Sequence, residues 1–238
     1  MTKQEYAKIQ SARFEANLVS LIESGFPDAA GLSEYEFKNI FGFNRGGEYT
    51  KNYLWRKAEL EFETLSTFTM PFSLVIPGCY VSIAKQMQLL RWGGTPGKIK
   101  MIDPGLMPDY LGDLPTDFGS KPTWISSPYL IFGIKTGVEE KETGWPPILE
   151  RMKSQGRRPL TMAEGVALVR DFPTVFNDKG IKGLYCFATQ QVVRHLYPPY
   201  IGPDSDGRLV LISDFGGKLG DETGFYIPSC FNWFGQGH

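Results

Sequence analysis

The sequence predicts an α+β fold, with N-terminal helices packed on a mixed β-sheet and a β-rich C-terminal third. Three observations lead there. Apolar residues recur at helical spacing through much of the first 66 residues. Beyond them, short continuous apolar runs bounded by proline or glycine take over, the pattern of buried strands. The runs come in the order helices, a β-α-β stretch, two helices and then strands, which segregates the two kinds of element. At 238 residues, 42% apolar and 21% charged, the chain can bury a sizeable core and has ordinary globular composition. No internal repeat or low-complexity linker divides it, so residues 1–238 read as a single α+β domain.

Each element can be justified in turn. Tyr6, Ile9, Phe14, Leu18, Leu21 and Ile22 make one apolar stripe over residues 3–24, and Gly25 stands where a helix C-terminus would be capped. Ser33 and Glu36 form a capping box for a short helix ending near Gly42. FNRGGEYT reads as a loop and residues 50–66 as a helix. FSLVIPG (72–78) is a buried strand, SIAKQMQLLRW (82–92) a helix stopped by Gly93-Gly94, and PYLIFGIKTG (128–137) a second strand. Trp145-Pro146-Pro147 suits the first turn of a helix over about 144–155, and a further helix covers 162–171. GLYCFAT (183–189), GRLVLIS (207–213) and TGFYIPS (223–229) complete the fold as strands.

Charge and cysteine usage narrow the function. With 25 basic and 26 acidic residues, there is no electrostatic reason to expect nucleic acid as a partner. The longest apolar stretch, MPFSLVIPGCYV, is broken by Pro77 and too short to span a bilayer, so no membrane partner is expected. The polar start MTKQEYAKIQ has no apolar signal core, and Cys79, Cys186 and Cys230 are odd in number and widely spaced. Together these lead to the expectation of a cytoplasmic protein with free thiols and no disulfide.

The most patterned segment is QGRRPLTMAEGVALVRDFP, residues 155–173. Thr161 and Glu164 have capping-box spacing, and Pro159 holds Arg158 extended before the helix start. Capping does not account for Arg157 and Arg158. They stand beside the positive end of a helix, where anions bind well, and the competing reading is a solvated loop or a salt bridge. Asp214 and Trp233 join these arginines as candidate ligand-binding residues.

Other chemistry is sparse. GFNRGG, RWGGTPG and DFGGKLG lack the spacing of a phosphate loop or a dinucleotide fingerprint, and Gly216-Gly217 fits a hairpin turn. His195 and His238 are the only histidines, and no C-x-x-C occurs, so neither metal nor cofactor is expected. Cys186 and His195 could form a thiol–imidazole pair oriented by Asn232 or Asp214. Cys186, however, lies within an apolar strand pattern, where a buried inert thiol is the usual outcome.

Several segments, taken in order, carry a resemblance. Gly25-Phe26-Pro27 with Ala30-Gly31-Leu32, SIAKQMQLL with GGTPG, PYLIF, GRRPLTMAEGVALVRDFPTVF and NWFG occur in one succession. This chain resembles an uncharacterised bacterial family, a domain of unknown function whose most specific segment is G-R-x-P-L-T-x-x-E-G. The likeness covers most of the chain. Arg158 stands where that family commonly has serine, and Gly133 where it commonly has aspartate. The resemblance implies a small single bacterial domain and transfers no activity, cofactor or catalytic residue.

Two functions follow as expectations. One is a non-catalytic module binding a small ligand or a protein partner, favoured by the lack of a complete catalytic set. The other is an enzyme, a hydrolase or transferase acting on an anionic small substrate anchored by Arg157. A deep pocket where Arg157, Asp214 or Cys186 converge would favour the enzyme, and a flat aromatic patch the module.

Overall fold

The computed structural model describes residues 1–43, 58–101, 128–138, 145–177, 181–186, 199–212 and 225–231. Helix α1 (Lys3–Glu23) begins on a capping box between Thr2 and Glu5. It ends before Gly25, whose φ of 83° is the left-handed turn that glycine adopts without a Cβ clash. Helices α2 (Phe26–Ala30) and α3 (Glu34–Phe37) follow, α3 with the Ser33–Glu36 box, and a π-helical turn, Lys38–Phe43, continues it. The expected loop at 44–50 and the start of the 50–66 helix lie outside the described residues. Residues 58–60 are helical, and α4 (Phe62–Leu65) succeeds a turn at Glu61.

Strand β1 (Met70–Val75) leads to helix α5 (Ile83–Leu89), capped by Ser82. The helix expected to run to 92 stops at Leu90. Gly93 and Gly94 take φ of 54° and 80°, and such a pair closes a two-residue hairpin between β2 (Arg91–Trp92) and β3 (Thr95–Pro96). Then come β4 (Lys98–Met101), β5 (Tyr129–Ile134), helix α6 (Trp145–Ser154), β6 (Arg157–Pro159) and helix α7 (Met162–Asp171). A 3-10 turn, Pro173–Phe176, precedes β7 (Gly183–Tyr185), β8 (Tyr200–Pro203), β9 (Leu209–Ile212), β10 (Phe225–Tyr226) and β11 (Ser229–Phe231). The single strand expected over 223–229 is two strands, β10 and β11, which join different sheets.

The largest sheet has the order β10-β7-β8-β9-β4. Its outer pairs are parallel and its inner pairs antiparallel, so the sheet is mixed and the fold is α+β. A separate antiparallel ribbon joins β1 to β5, with Phe72 opposite Phe132 and Leu74 opposite Leu130. Strand β11 pairs with β6, and a bridge between Lys135 and Ser229 ties it to the end of β5.

The ribbon sends its side chains into two cores, alternating from Leu130 to Phe132 until Gly133, at φ 58°, interrupts the alternation. Phe72, Leu74 and Phe132 join Phe14, Phe26, Phe37 and Phe41 in a cluster built with the N-terminal helices. Val75, Ile131 and Ile134 join the residues of α7 and the five-stranded sheet, among them Val166, Leu184, Ile201 and Leu211. Helix α7 has seven buried residues from Met162 to Val169, Glu164 included, which is the composition of a central helix rather than a surface one. Its C-terminal end is pinned to β1. Asp171 Oδ2 accepts from Ser73 Oγ at 2.6 Å and from the Leu74 amide at 3.3 Å, and Arg170 donates to the Leu74 carbonyl.

Candidate functional site

The GRRPLT segment builds a buried polar centre. Gly156, at φ 64°, ends α6 and turns the chain into β6. A strand alternates its side chains, so two successive arginines point to opposite sides. Neither is solvated: Arg157 is 3% exposed and Arg158 0%.

Arg158 meets Glu164. Its Nη1 donates to Oε2 at 2.7 Å and its Nη2 to Oε1 at 2.5 Å, a bidentate fork on a carboxylate that is itself 0% exposed. The same carboxylate closes the capping box: Oε2 accepts from the Thr161 amide at 2.7 Å, and Thr161 Oγ1 accepts from the Glu164 amide at 3.2 Å. Tyr129 donates its hydroxyl to Oε1 at 3.2 Å. Glu164 is therefore surrounded by donors, and the anion that the helix start and Arg158 attract is the chain's own.

The electrostatics follow from burial. Removal from water works against the Arg158 charge, but Cys230 and Glu164 outweigh it and its pKa stands above the ordinary value. Burial pushes the Cys230 thiol up to about 12, so near neutral pH it is uncharged and Glu164 is the effective partner. Burial, seconded by the Glu164 charge, also raises the Tyr129 hydroxyl and the Cys186 thiol. A thiol held neutral is a poor nucleophile. The Cys186 sulfur is packed so closely on α7 that a Cβ at Gly165 would lie 2.5 Å from it.

Arg157 faces the other way and ties three strands together. From β6 its Nη2 donates to the Gly133 carbonyl of β5 at 2.6 Å and to the Ser229 carbonyl of β11 at 2.9 Å. Its Nε donates to Ser229 Oγ at 3.0 Å. The guanidinium carbon lies 5.0 Å from the centroid of Phe231 and 5.5 Å from that of Phe68. Its Nη1 is buried and has no hydrogen-bond partner among the described residues. A buried donor in that state costs on the order of 1–3 kcal/mol.

Beside this arginine opens a cleft of about 310 Å³, lined by residues 67–70 on one side and 134–137 on the other. It forms where the chain enters β1 and leaves β5. Gly137 makes the exit possible, with a φ of 86° and the Ile227 carbonyl only 2.5 Å from where a Cβ would stand. Lys135, Thr67, Thr69 and Thr136 give the cleft an ammonium and three hydroxyls, while Phe68, Met70 and Ile134 give it apolar wall. Lys135 Nζ lies 5.9 Å from the Phe68 ring centroid. No carboxylate, imidazole or thiol is among these lining residues.

The structure thus separates what the sequence placed together. Arg157 and Arg158 are buried on opposite sides of β6, and Arg157 contacts Phe68 of the cleft. Asp214 and Trp233, together with His195 and Asn232, lie outside the described residues. Lys135, Phe68 and the three threonines escaped sequence reasoning. STFTM and IKTG are unremarkable segments, and only the β1–β5 pairing brings them face to face. Among the described residues no group of three or more His, Cys, Asp or Glu could hold a metal ion. No described helix is long and apolar enough to cross a membrane.

This is an α+β protein with a small cleft of hydroxyls, aromatic wall and cationic charge at the end of a β-ribbon. A family of unknown function, DUF5701, matches residues 20–191, and the chain belongs to that family. No curated protein and no solved structure matches it.

Proposed function

We propose that the chain is a non-catalytic binding module whose small ligand occupies the cleft between residues 67–70 and 134–137. One observation carries this reading. The cleft offers hydrogen-bonding hydroxyls, an ammonium and apolar wall, the mixture that orients a ligand, and its described lining has no carboxylate, imidazole or thiol to activate a threonine or a water. Cys186, the thiol best placed in the sequence to act with a histidine, is fully buried in the core around α7. These facts support binding over the alternative of a hydrolase or transferase working on an anionic substrate. A cytoplasmic setting with reduced thiols accords with the reading.

The test is a thermal-shift screen against metabolites and nucleotides, since a ligand that binds only the folded state raises the melting temperature. At least one compound should shift the protein, and Thr67→Trp, which fills the cleft, should abolish that shift. A shift that survives the blocked cleft would locate the ligand elsewhere. Consumption of the bound compound, followed by NMR, would replace the module by an enzyme.

A further inference from the structure

The cleft has a charge imbalance that indicates what it binds. Lys135 and Arg157 approach the same ring, Phe68, at 5.9 and 5.5 Å. No ion pair to either cation is present among the described residues, whereas Arg158, one residue along, is neutralised by Glu164. Arg157 satisfies Nε and Nη2 on Ser229 and Gly133 and leaves Nη1, buried, without an acceptor among the described residues. A guanidinium stays charged under all ordinary conditions, so this charge persists in the protein interior. Lys135 and the Thr69 and Thr136 hydroxyls line the cleft, and the Arg157 guanidinium with its spare N–H lies against the Phe68 ring, so the described lining offers donors and positive charge with no negative charge to meet them.

Resting on the cleft being the ligand site, we propose that its ligand carries a compact oxyanion, a carboxylate or phosphate group, held by Lys135 and by the spare Nη1 donor of Arg157. Phe68 controls access to the second cation. It lines the cleft and contacts the guanidinium, and it belongs to the connection between α4 and β1 rather than to a helix or strand. Arg157 is 3% exposed, so the proposed contact requires that ring to turn aside from Phe231, on which it packs at 5.3 Å. Lys135 makes the first contact from the open side, and the Thr69 and Thr136 hydroxyls supply neutral donors, that of Thr67 being given to the Thr64 carbonyl. Apolar wall from Met70 and Ile134 receives the remainder of the ligand.

The probes are inorganic phosphate in one arm and succinate in the other, titrated by calorimetry against chloride at matched ionic strength. Either anion should bind wild-type protein above the chloride background, and the arm that binds tells phosphate from carboxylate recognition. Lys135→Met should weaken that binding by roughly tenfold or more, as loss of a charge-assisted hydrogen bond does, while melting like the wild type. Arg157→Lys keeps the charge and loses the fork. If it folds, its anion affinity should also fall, and if it does not, Lys135→Met decides alone. Wild-type protein that binds neither anion, or Lys135→Met that binds as tightly as wild type, overturns the oxyanion assignment. A neutral compound whose thermal shift disappears in Thr67→Trp would leave the binding module standing while the oxyanion falls. A shift that persists in Thr67→Trp would remove the cleft itself.

Discussion

Glu164 performs several tasks with two oxygens: it caps α7, forks with Arg158 and accepts from Tyr129. Removing its cation should therefore do more harm than losing a surface pair. Arg158→Met should cost about 3–5 kcal/mol in urea denaturation, because it strands a carboxylate in the core. Arg158→Met with Glu164→Gln should recover most of that loss, since glutamine keeps the cap and carries no charge. A double variant no more stable than the single one would show that packing, not charge, is what Arg158 supplies. Gly133 is the second sensitive position. Its φ is 58°, and a Cβ there would lie 2.2 Å from Cε2 of Phe231, so this strand has no room for a side chain at the position. Gly133→Ala should lose at least about 1–2 kcal/mol from backbone strain alone, before the ring is displaced. A wild-type denaturation midpoint for Gly133→Ala would mean that Phe231 is free to move.

Asp204 organises the turn between β8 and β9, with Oδ1 accepting from the amides of Asp206 and Arg208 and Oδ2 lying 3.3 Å from Lys98 Nζ. The Arg208 amide, helped by Lys98 and the Asp206 amide and opposed by desolvation, holds this carboxyl below its ordinary pKa. A depressed folded-state pKa adds stability that is present above the unfolded value, about 3.9, and disappears as pH falls through the folded value. Asp204→Asn should therefore be less stable than wild type at neutral pH, and the difference should shrink below about pH 4. A difference that is constant across the titration would rule out the charge. Such local devices differ in how well they show in sequence. The Thr161–Glu164 and Ser33–Glu36 boxes, the glycine after α1 and the long helical periods were legible, because three or four neighbouring residues specify each. The strands β4, β6 and β8 were not, since three or four residues carry no measurable period. Arg157-Arg158-Pro159 reads as a loop until β11, some seventy residues on, pairs with it. The inward turn of Arg158 had the same obstacle: the capping box alone accounts for Glu164, and nothing local signals a second partner. The cleft was invisible for a related reason, as its two walls lie more than sixty residues apart.

Across the whole molecule, the β1–β5 ribbon belongs to both cores, giving Phe72, Leu74 and Phe132 to one and Val75, Ile131 and Ile134 to the other. Helix α7 is bonded to β1 through Asp171 and lies in the second core, so damage to either cluster should reach the other through the ribbon. The cysteines report on this directly. Cys186 and Cys230 are in the α7 core, whereas Cys79 is exposed. In the native state a thiol reagent should modify Cys79 alone, and after unfolding without reductant all three should react. Phe14→Ala, placed in the helical cluster, should cost about 3–5 kcal/mol as large core truncations do. In a two-state unit that cost must lower by the same amount the urea concentration at which Cys186 and Cys230 become reactive and the one at which helical circular dichroism is lost. Two separate transitions, with the helices melting while both thiols stay protected, would show that residues 3–66 fold apart from the sheet. Coincident transitions would establish one cooperative domain, as expected where one ribbon forms a wall of two cores.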